Sequence, residues 1–141
     1  KNYHWLDLVT GLYQAYDAGA ENVLLQDNAG NVAEGPGFNL FAVKDGRVTT
    51  PASGVLHGIT RATALELLAE MGISAHAAPL PIDALLQADE AFITSTAGGI
   101  MAVRAVDAHT FPAGAPGAVT ERLTALYWDK HQDPDWTTSV G

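Results

Sequence analysis

The 141-residue chain contains no cysteine, which excludes disulfides and cysteine-based metal sites. Basic residues are scarce: seven Lys and Arg stand against sixteen Asp and Glu, for a net charge of −9. A nucleic-acid binder normally carries a basic stripe, and none is present, so nucleic acid is not an expected partner. An anionic membrane surface is disfavoured for the same reason. No apolar run approaches the roughly 18 residues of a spanning helix, and no signal peptide is visible. These absences fit a cytoplasmic protein. The five histidines, His4, His57, His76, His109 and His131, share no i, i+4 pair or other metal spacing, so no metal is expected. Gly-x-Gly-x-x-Gly and the phosphate loop of nucleotide hydrolases are also missing, which leaves a nucleotide ligand poorly supported.

What is present is enough for a core. The chain is 48% hydrophobic, and a domain of this length buries roughly two-thirds of its unfolded surface. It opens on Lys1, with no initiator methionine, and the residues that follow already read as a helix. That beginning leads to the expectation of a fragment. Trp5, Leu6, Leu8, Val9, Leu12, Tyr13 and Tyr16 form a helical apolar face, with Gly19 just past its end. Residues 22–26 read as a strand before the turn Asp27-Asn28-Ala29-Gly30. Residues 40–44 and 47–50 predict a hairpin around Asp45-Gly46, a pair suited to a type I′ turn. A helix is expected over 60–71, ended by Gly72, then a strand at 73–77 and a short helix at 82–87. Strands follow at 91–95 and 100–106, and Pro116 opens a last helix to about Lys130. Residues 132–141 read as an irregular tail. The expected class is α/β, a single domain with mixed strand order.

Three glycine-rich loops carry the chemistry. Glu34-Gly35-Pro36-Gly37-Phe38-Asn39 reads first as a type II turn. Gly35 and Gly37, however, strip the backbone where a flat ligand would approach, and Glu34 among apolar neighbours calls for a cationic partner. Leu56-His57-Gly58-Ile59-Thr60 runs into a helix. Its first-turn amides make an anion seat, and ordinary capping by Thr60 is an equal alternative. Arg61 reads as a solvated side chain along the helix. Thr94-Ser95-Thr96-Ala97-Gly98-Gly99 follows a strand with two hydroxyls and open amides. It fits either an anion-binding concavity or a plain turn.

Taken in order, Lys1-Asn2, the Glu34 loop, Asp45-Gly46-Arg47-Val48 before Thr50-Pro51, Gly58-Ile59-Thr60-Arg61, Ala88-Asp89-Glu90 and Thr94-Ser95-Thr96-Ala97 resemble one family over nearly the whole chain. That family is the fold-type IV, or class IV, pyridoxal-phosphate aminotransferases, and the likeness is to their larger C-terminal domain. The resemblance implies the D-amino-acid aminotransferase-like fold, a mixed sheet or pseudo-barrel with flanking helices. It implies pyridoxal 5′-phosphate as cofactor and Lys1 as the catalytic lysine that carries it as an aldimine. Glu34 matches the acid paired with the pyridine nitrogen, and Leu56 the residue against the ring. Gly58, Ile59, Thr60 and Thr96 match the phosphate seat, with Ser95 adjacent. Trp5, Gly35, Thr96 and Ala97 fall where a substrate pocket would be. His57 could lie near the cofactor, although a loop role is simpler.

The implied reaction is transamination from an amine or amino acid to a keto acid. A carboxylate at Glu34 favours the protonated ring nitrogen, and a released lysine can act as the proton carrier. Lys1-Asn2-Tyr3-His4-Trp5, Asp7-Leu8-Val9, Gly37-Phe38-Asn39 and Ala97-Gly98-Gly99-Ile100-Met101 are most similar to the (R)-selective amine transaminases. Branched-chain and D-amino-acid aminotransferases stand next, then aminodeoxychorismate lyase. The resemblance further implies an absent N-terminal domain, a homodimer, and little activity in this piece alone. A noncatalytic anion-binding domain and a purely structural fragment are the alternatives outside the family.

Overall fold

The computed structural model describes residues 5–139. A first helix, α1 (Leu6–Asp17), is followed by an irregular stretch and then by β1 (Glu34–Gly35), β2 (Phe38–Lys44) and β3 (Arg47–Pro51). Next come α2 (Ile59–Glu70), β4 (Ala75–Ala78), α3 (Ile82–Leu86), β5 (Glu90–Ser95) and β6 (Gly99–Val103). A small hairpin follows, β7 (Ala105–Val106) and β8 (His109–Thr110), then α4 (Ala118–Asp129) and one 3-10 turn (Lys130–Gln132).

The sheet runs β4-β3-β2-β5-β6, with β1 paired to the start of β2. Only β3 and β4 are parallel, joined through α2, and the other neighbours are antiparallel. It is therefore the expected mixed sheet, but it is open rather than a barrel. Closure fails at both edges. β4 stops ahead of Pro79 and Pro81, and after Val103 the chain leaves the sheet for the separate β7/β8 hairpin.

β2 is buried on both faces and accordingly reads as a continuous apolar run. Alternation sends Phe41 and Val43 toward Ala64, Leu67 and Leu68 of α2 and Leu123 of α4. Leu40 and Ala42 point the other way, to Val32, Leu80, Leu85 and Phe111. Phe41 lies opposite Phe92 of β5, their rings stacked at 4.7 Å between centroids. Losing either ring to alanine would cost about 3–5 kcal/mol. The β2–β3 turn takes the expected form, with φ of 49° at Asp45 and 71° at Gly46.

Three expectations need correction. Residues 22–26 are not a strand: they make one bridge, Gln26 to Val32, and the Leu25–Ala33 and Leu25–Glu34 backbone bonds. The opposing stretch is too short for a ladder, because the Val32 amide turns instead to the Leu80 carbonyl. The strand expected over 100–106 breaks at Arg104, where the chain turns into the β7/β8 hairpin; Asp107 there adopts φ 51°. Finally, α1 forms, but its apolar face is largely uncovered. Leu6 is 76% exposed and Tyr13 67%, while the helix touches Val23 and Leu25 through buried Gly11.

Buried polar groups fix the remaining elements. Glu90 is 4% exposed, yet its carboxylate caps the start of α4: Oε1 accepts from the Val119 amide at 3.0 Å, and Oε2 from the Thr120 amide at 2.9 Å. A carboxylate at a helix N-terminus meets both unpaired amides and the positive end of the dipole. A Cβ at Gly117 would strike this carboxyl group, so the close approach requires glycine. Before the sheet, Asp27 Oδ1 accepts from the amides of Asn31 and Ala29 at 2.9 Å each. Bonds from the Asn31 backbone and side chain hold the Asp27 carboxyl below the usual carboxylate range.

Glu90→Ala should lower stability by about 2–3 kcal/mol in urea unfolding, with Glu90→Gln recovering part of that loss. For Asp27 the folded pKa is depressed, so its contribution exists above the unfolded value near 4 and vanishes as pH falls through the folded value. The Tm difference between wild type and Asp27→Asn should therefore shrink steadily as pH drops below about 4.

Candidate functional site

The antiparallel register sets Asn39 at the head of β2 opposite Thr94 near the end of β5. That pairing brings the first and third glycine-rich loops to one end of the sheet, and α2 begins beside them. An open cleft of about 120 Å³ forms there. Its walls come from Glu34, Gly37, Phe38 and Asn39, from Leu56 and Gly58 to Arg61, and from Thr94, Ser95 and Thr96.

Asn39 joins two of these walls. It is 5% exposed, and its Nδ2 donates to the Leu56 carbonyl at 2.8 Å and to Glu34 Oε2 at 3.4 Å. The same Oε2 accepts from the Leu56 amide at 2.8 Å. Both bonds to Glu34 thus fall on one carboxylate oxygen, and Oε1 takes none among the described residues. The expected cationic partner of Glu34 is not supplied by a described residue; an amide and an asparagine orient the acid instead. Gly58 is glycine because a Cβ would lie 2.6 Å from Asn39 Oδ1.

The start of α2 is left open. Gly58, its N-cap residue, has no side chain to cap with, and among the described residues no side-chain hydrogen bond reaches the Ile59, Thr60 or Arg61 amide, so capping by Thr60 does not occur. The amides of Ile59, Thr60 and Arg61 have no intrahelical acceptor at this position, and their residues line the cleft. Contrast α4, where a buried carboxylate occupies the same place. The third loop is closed by Ser95 Oγ, which accepts from the Gly98 amide at 3.0 Å.

Of the residues singled out in the sequence, Glu34, Leu56, Gly58, Ile59, Thr60, Ser95 and Thr96 are gathered in one cleft. Others are placed elsewhere. Gly35 is buried, and the space beside it is taken by the Phe38 ring and the Val23 carbonyl rather than left for a flat ligand. The glycines at 98 and 99 make room for Met101 and for Tyr127 of α4. Trp5, Ala97 and His57 are exposed and lie off the cleft lining. Lys1 lies outside the described residues.

Arg61 requires a correction. It is not solvated but 7% exposed, on the cleft wall, with Nη2 donating to the Pro51 carbonyl at 3.1 Å. Its Nε is buried with no partner among the described residues, and burial lowers the guanidinium pKa. The sequence did hold a signal: a cation in the first turn opposes the helix dipole and invites an anion there. Thr94 was passed over as well. It is 2% exposed on the same wall, and its Oγ1 is also without a partner. Among the described residues no cluster of His, Asp and Glu could hold a metal, and no helix is long and apolar enough to cross a membrane.

An acid held by one oxygen, an uncapped helix start and a hydroxyl-lined loop thus meet at one cleft. In comparison with known sequences, the family described as Amino-transferase class IV matches residues 1–106. The chain belongs to the class IV aminotransferases. It is 40% identical over 129 residues to a branched-chain-amino-acid aminotransferase of Pseudomonas aeruginosa, covering 91% of this chain and 42% of that protein. It also superposes on the branched-chain amino acid aminotransferase of Thermobaculum terrenum in its PLP form, with a TM-score of 0.92 and 30% identity, over 97% of this chain and 47% of the other. Another solved branched-chain amino acid aminotransferase, with pyridoxamine 5′-phosphate, gives a TM-score of 0.88 at 32% identity, covering 94% and 45% of the two chains. The chain therefore spans less than half the length of these relatives.

Asn39→Ala would strip the Leu56 carbonyl and Glu34 of a shared donor. Its expected cost is about 1–3 kcal/mol by chemical denaturation, since a buried acceptor is left unpaired.

Proposed function

We propose that this chain is the cofactor-binding part of a pyridoxal-phosphate-dependent aminotransferase, moving an amino group from an amine or amino acid to a keto acid. The observation that carries the reading is the convergence of Glu34, the uncapped start of α2 and Thr96 on one cleft. The two unpartnered buried polar atoms on the same cleft, Arg61 Nε and Thr94 Oγ1, fit a ligand with anionic oxygens. The branched-chain enzymes on which the chain superposes are described with PLP and with pyridoxamine 5′-phosphate, and this supports the same cofactor here.

In this reading the first-turn amides of α2 at Ile59 and Thr60 hold the phosphate, with the hydroxyls of Thr60 and Thr96 beside them and Ser95 adjacent. Leu56 packs against the ring. The Glu34 carboxylate would accept a hydrogen bond from the ring nitrogen and favour its protonated form. Once bound, pyridoxal phosphate supplies an electron sink for the electron pair released at the substrate carbon. The Lys1 amine covalently holds the cofactor and, when freed, carries the proton to and from that carbon. Thr96, on the cleft wall, is our assignment for the substrate side, and the resemblance adds Ala97 beside it and Trp5; Gly35, closed off by Phe38, is not retained there. We further assign an N-terminal domain of the same protein to the rest of the pocket, with a homodimer in the cytoplasm.

The residues that resemble (R)-selective amine transaminases, Lys1 to Trp5 and Ala97 to Met101, favour (R)-configured amines as donors. The names of the relatives favour a second reading, with branched-chain L-amino acids as donors. The full-length protein, loaded with pyridoxal phosphate, should show a visible absorption band that an (R)-arylalkylamine bleaches and pyruvate restores. Bleaching by L-leucine in its place would select the second reading, and no response to either donor or to D-alanine would overturn transamination. Lys1→Ala should abolish borohydride trapping of the cofactor, and Glu34→Gln should reduce kcat by about 10²-fold or more.

A further inference from the structure

Arg61 is the buried cation of this cleft, and no acid among the described residues answers its charge. The ion pairs among those residues are Lys44 with Asp89 and Lys130 with Glu70, and neither involves Arg61. Its one hydrogen bond is to a neutral carbonyl, Pro51 O, and the Nε–H is left buried without an acceptor. A charge kept from water without an opposite charge is costly. Arginine cannot escape that cost by shedding its proton. The residue also sits in the first turn of α2, at the positive end of the helix dipole, where a cation is unfavourable. An anion in the cleft would offset both penalties. Thr94 Oγ1, on the adjoining strand wall, is a second polar atom sealed from solvent and left unpartnered.

We infer that Arg61 and Thr94 form an inner tier of the anion seat, with the Arg61 guanidinium as counter-charge and the Arg61 Nε–H and Thr94 hydroxyl as donors toward the anion. The inference rests on the functional reading above and deepens it, adding two residues to those that the resemblance implies. Arg61 has a positional task as well. Its bond to Pro51, the last residue of β3, pins the start of α2 to the sheet, so the same side chain aligns the first-turn amides and supplies charge behind them.

The test compares pyridoxal phosphate with pyridoxal, which lacks only the phosphate, in the full-length protein, with affinity read from fluorescence or absorbance titration. Arg61→Met keeps the apolar stem and removes the charge, and Thr94→Val removes the hydroxyl at nearly constant shape. Arg61→Met should weaken pyridoxal phosphate about 10-fold to 100-fold, with pyridoxal affinity changed less than about 2-fold. Thr94→Val should weaken the phosphate ester about 3-fold to 10-fold with the same selectivity, and it serves alone if Arg61→Met does not fold. Inorganic phosphate should raise the Tm of wild type more than that of either variant. Unchanged affinity for the ester, or equal losses for ester and pyridoxal, would overturn the inference and leave both residues structural. A wild type that binds pyridoxal phosphate no better than pyridoxal would overturn the functional reading itself.

Discussion

The pairing of β2 with β5 is the constraint on which the rest of this structure depends. One register sets Phe41 on Phe92 in the core and Asn39 opposite Thr94 at the cleft. A slip of one residue would turn every side chain of β2 to the other face. Phe41 and Val43 would then leave the α2/α4 layer, and Asn39 would lose Leu56 and Glu34. Packing energy at the centre of the sheet thus fixes the position of the polar groups at its end. The cleft inherits its geometry from the core.

The two long helices packed on this sheet show the same electrostatics put to different uses. α4 begins on a buried glutamate that satisfies its first amides and their dipole. α2 begins on a bare glycine, held against Asn39, with a buried arginine in its first turn that pairs with no acid among the described residues. On the function proposed above, an anion bound there would offset that arrangement.

The residues that meet at the cleft were legible in the sequence as glycine-rich segments, and only their order carried the family resemblance. Glu34 and Ser95 sit at strand ends, Leu56, Gly58, Ile59 and Thr60 lead into α2, and Thr96 follows β5, all within or beside those segments. The Asp45-Gly46 turn and the apolar run of β2 were legible as well. What was missed depends on contacts distant in sequence. Nothing near Arg61 says that its guanidinium folds back to Pro51, ten residues earlier. Gly35 looked like room for a ligand and instead makes room for Phe38. The seven apolar residues around α1 have a good helical period. Periodicity alone does not say what covers such a face, and here Leu6, Tyr13 and Tyr16 remain exposed.

The central claim is that the uncapped start of α2 is where the cofactor's phosphate sits. Backbone amide spectra of the full-length protein, recorded during titration with pyridoxal phosphate, test it most directly. The amides of Ile59, Thr60 and Arg61 should move strongly downfield as anionic acceptors arrive, while those of Val119 and Thr120, already bound to Glu90, should stay in place. Still amides at 59–61, with the largest shifts in another part of the molecule, would contradict the account.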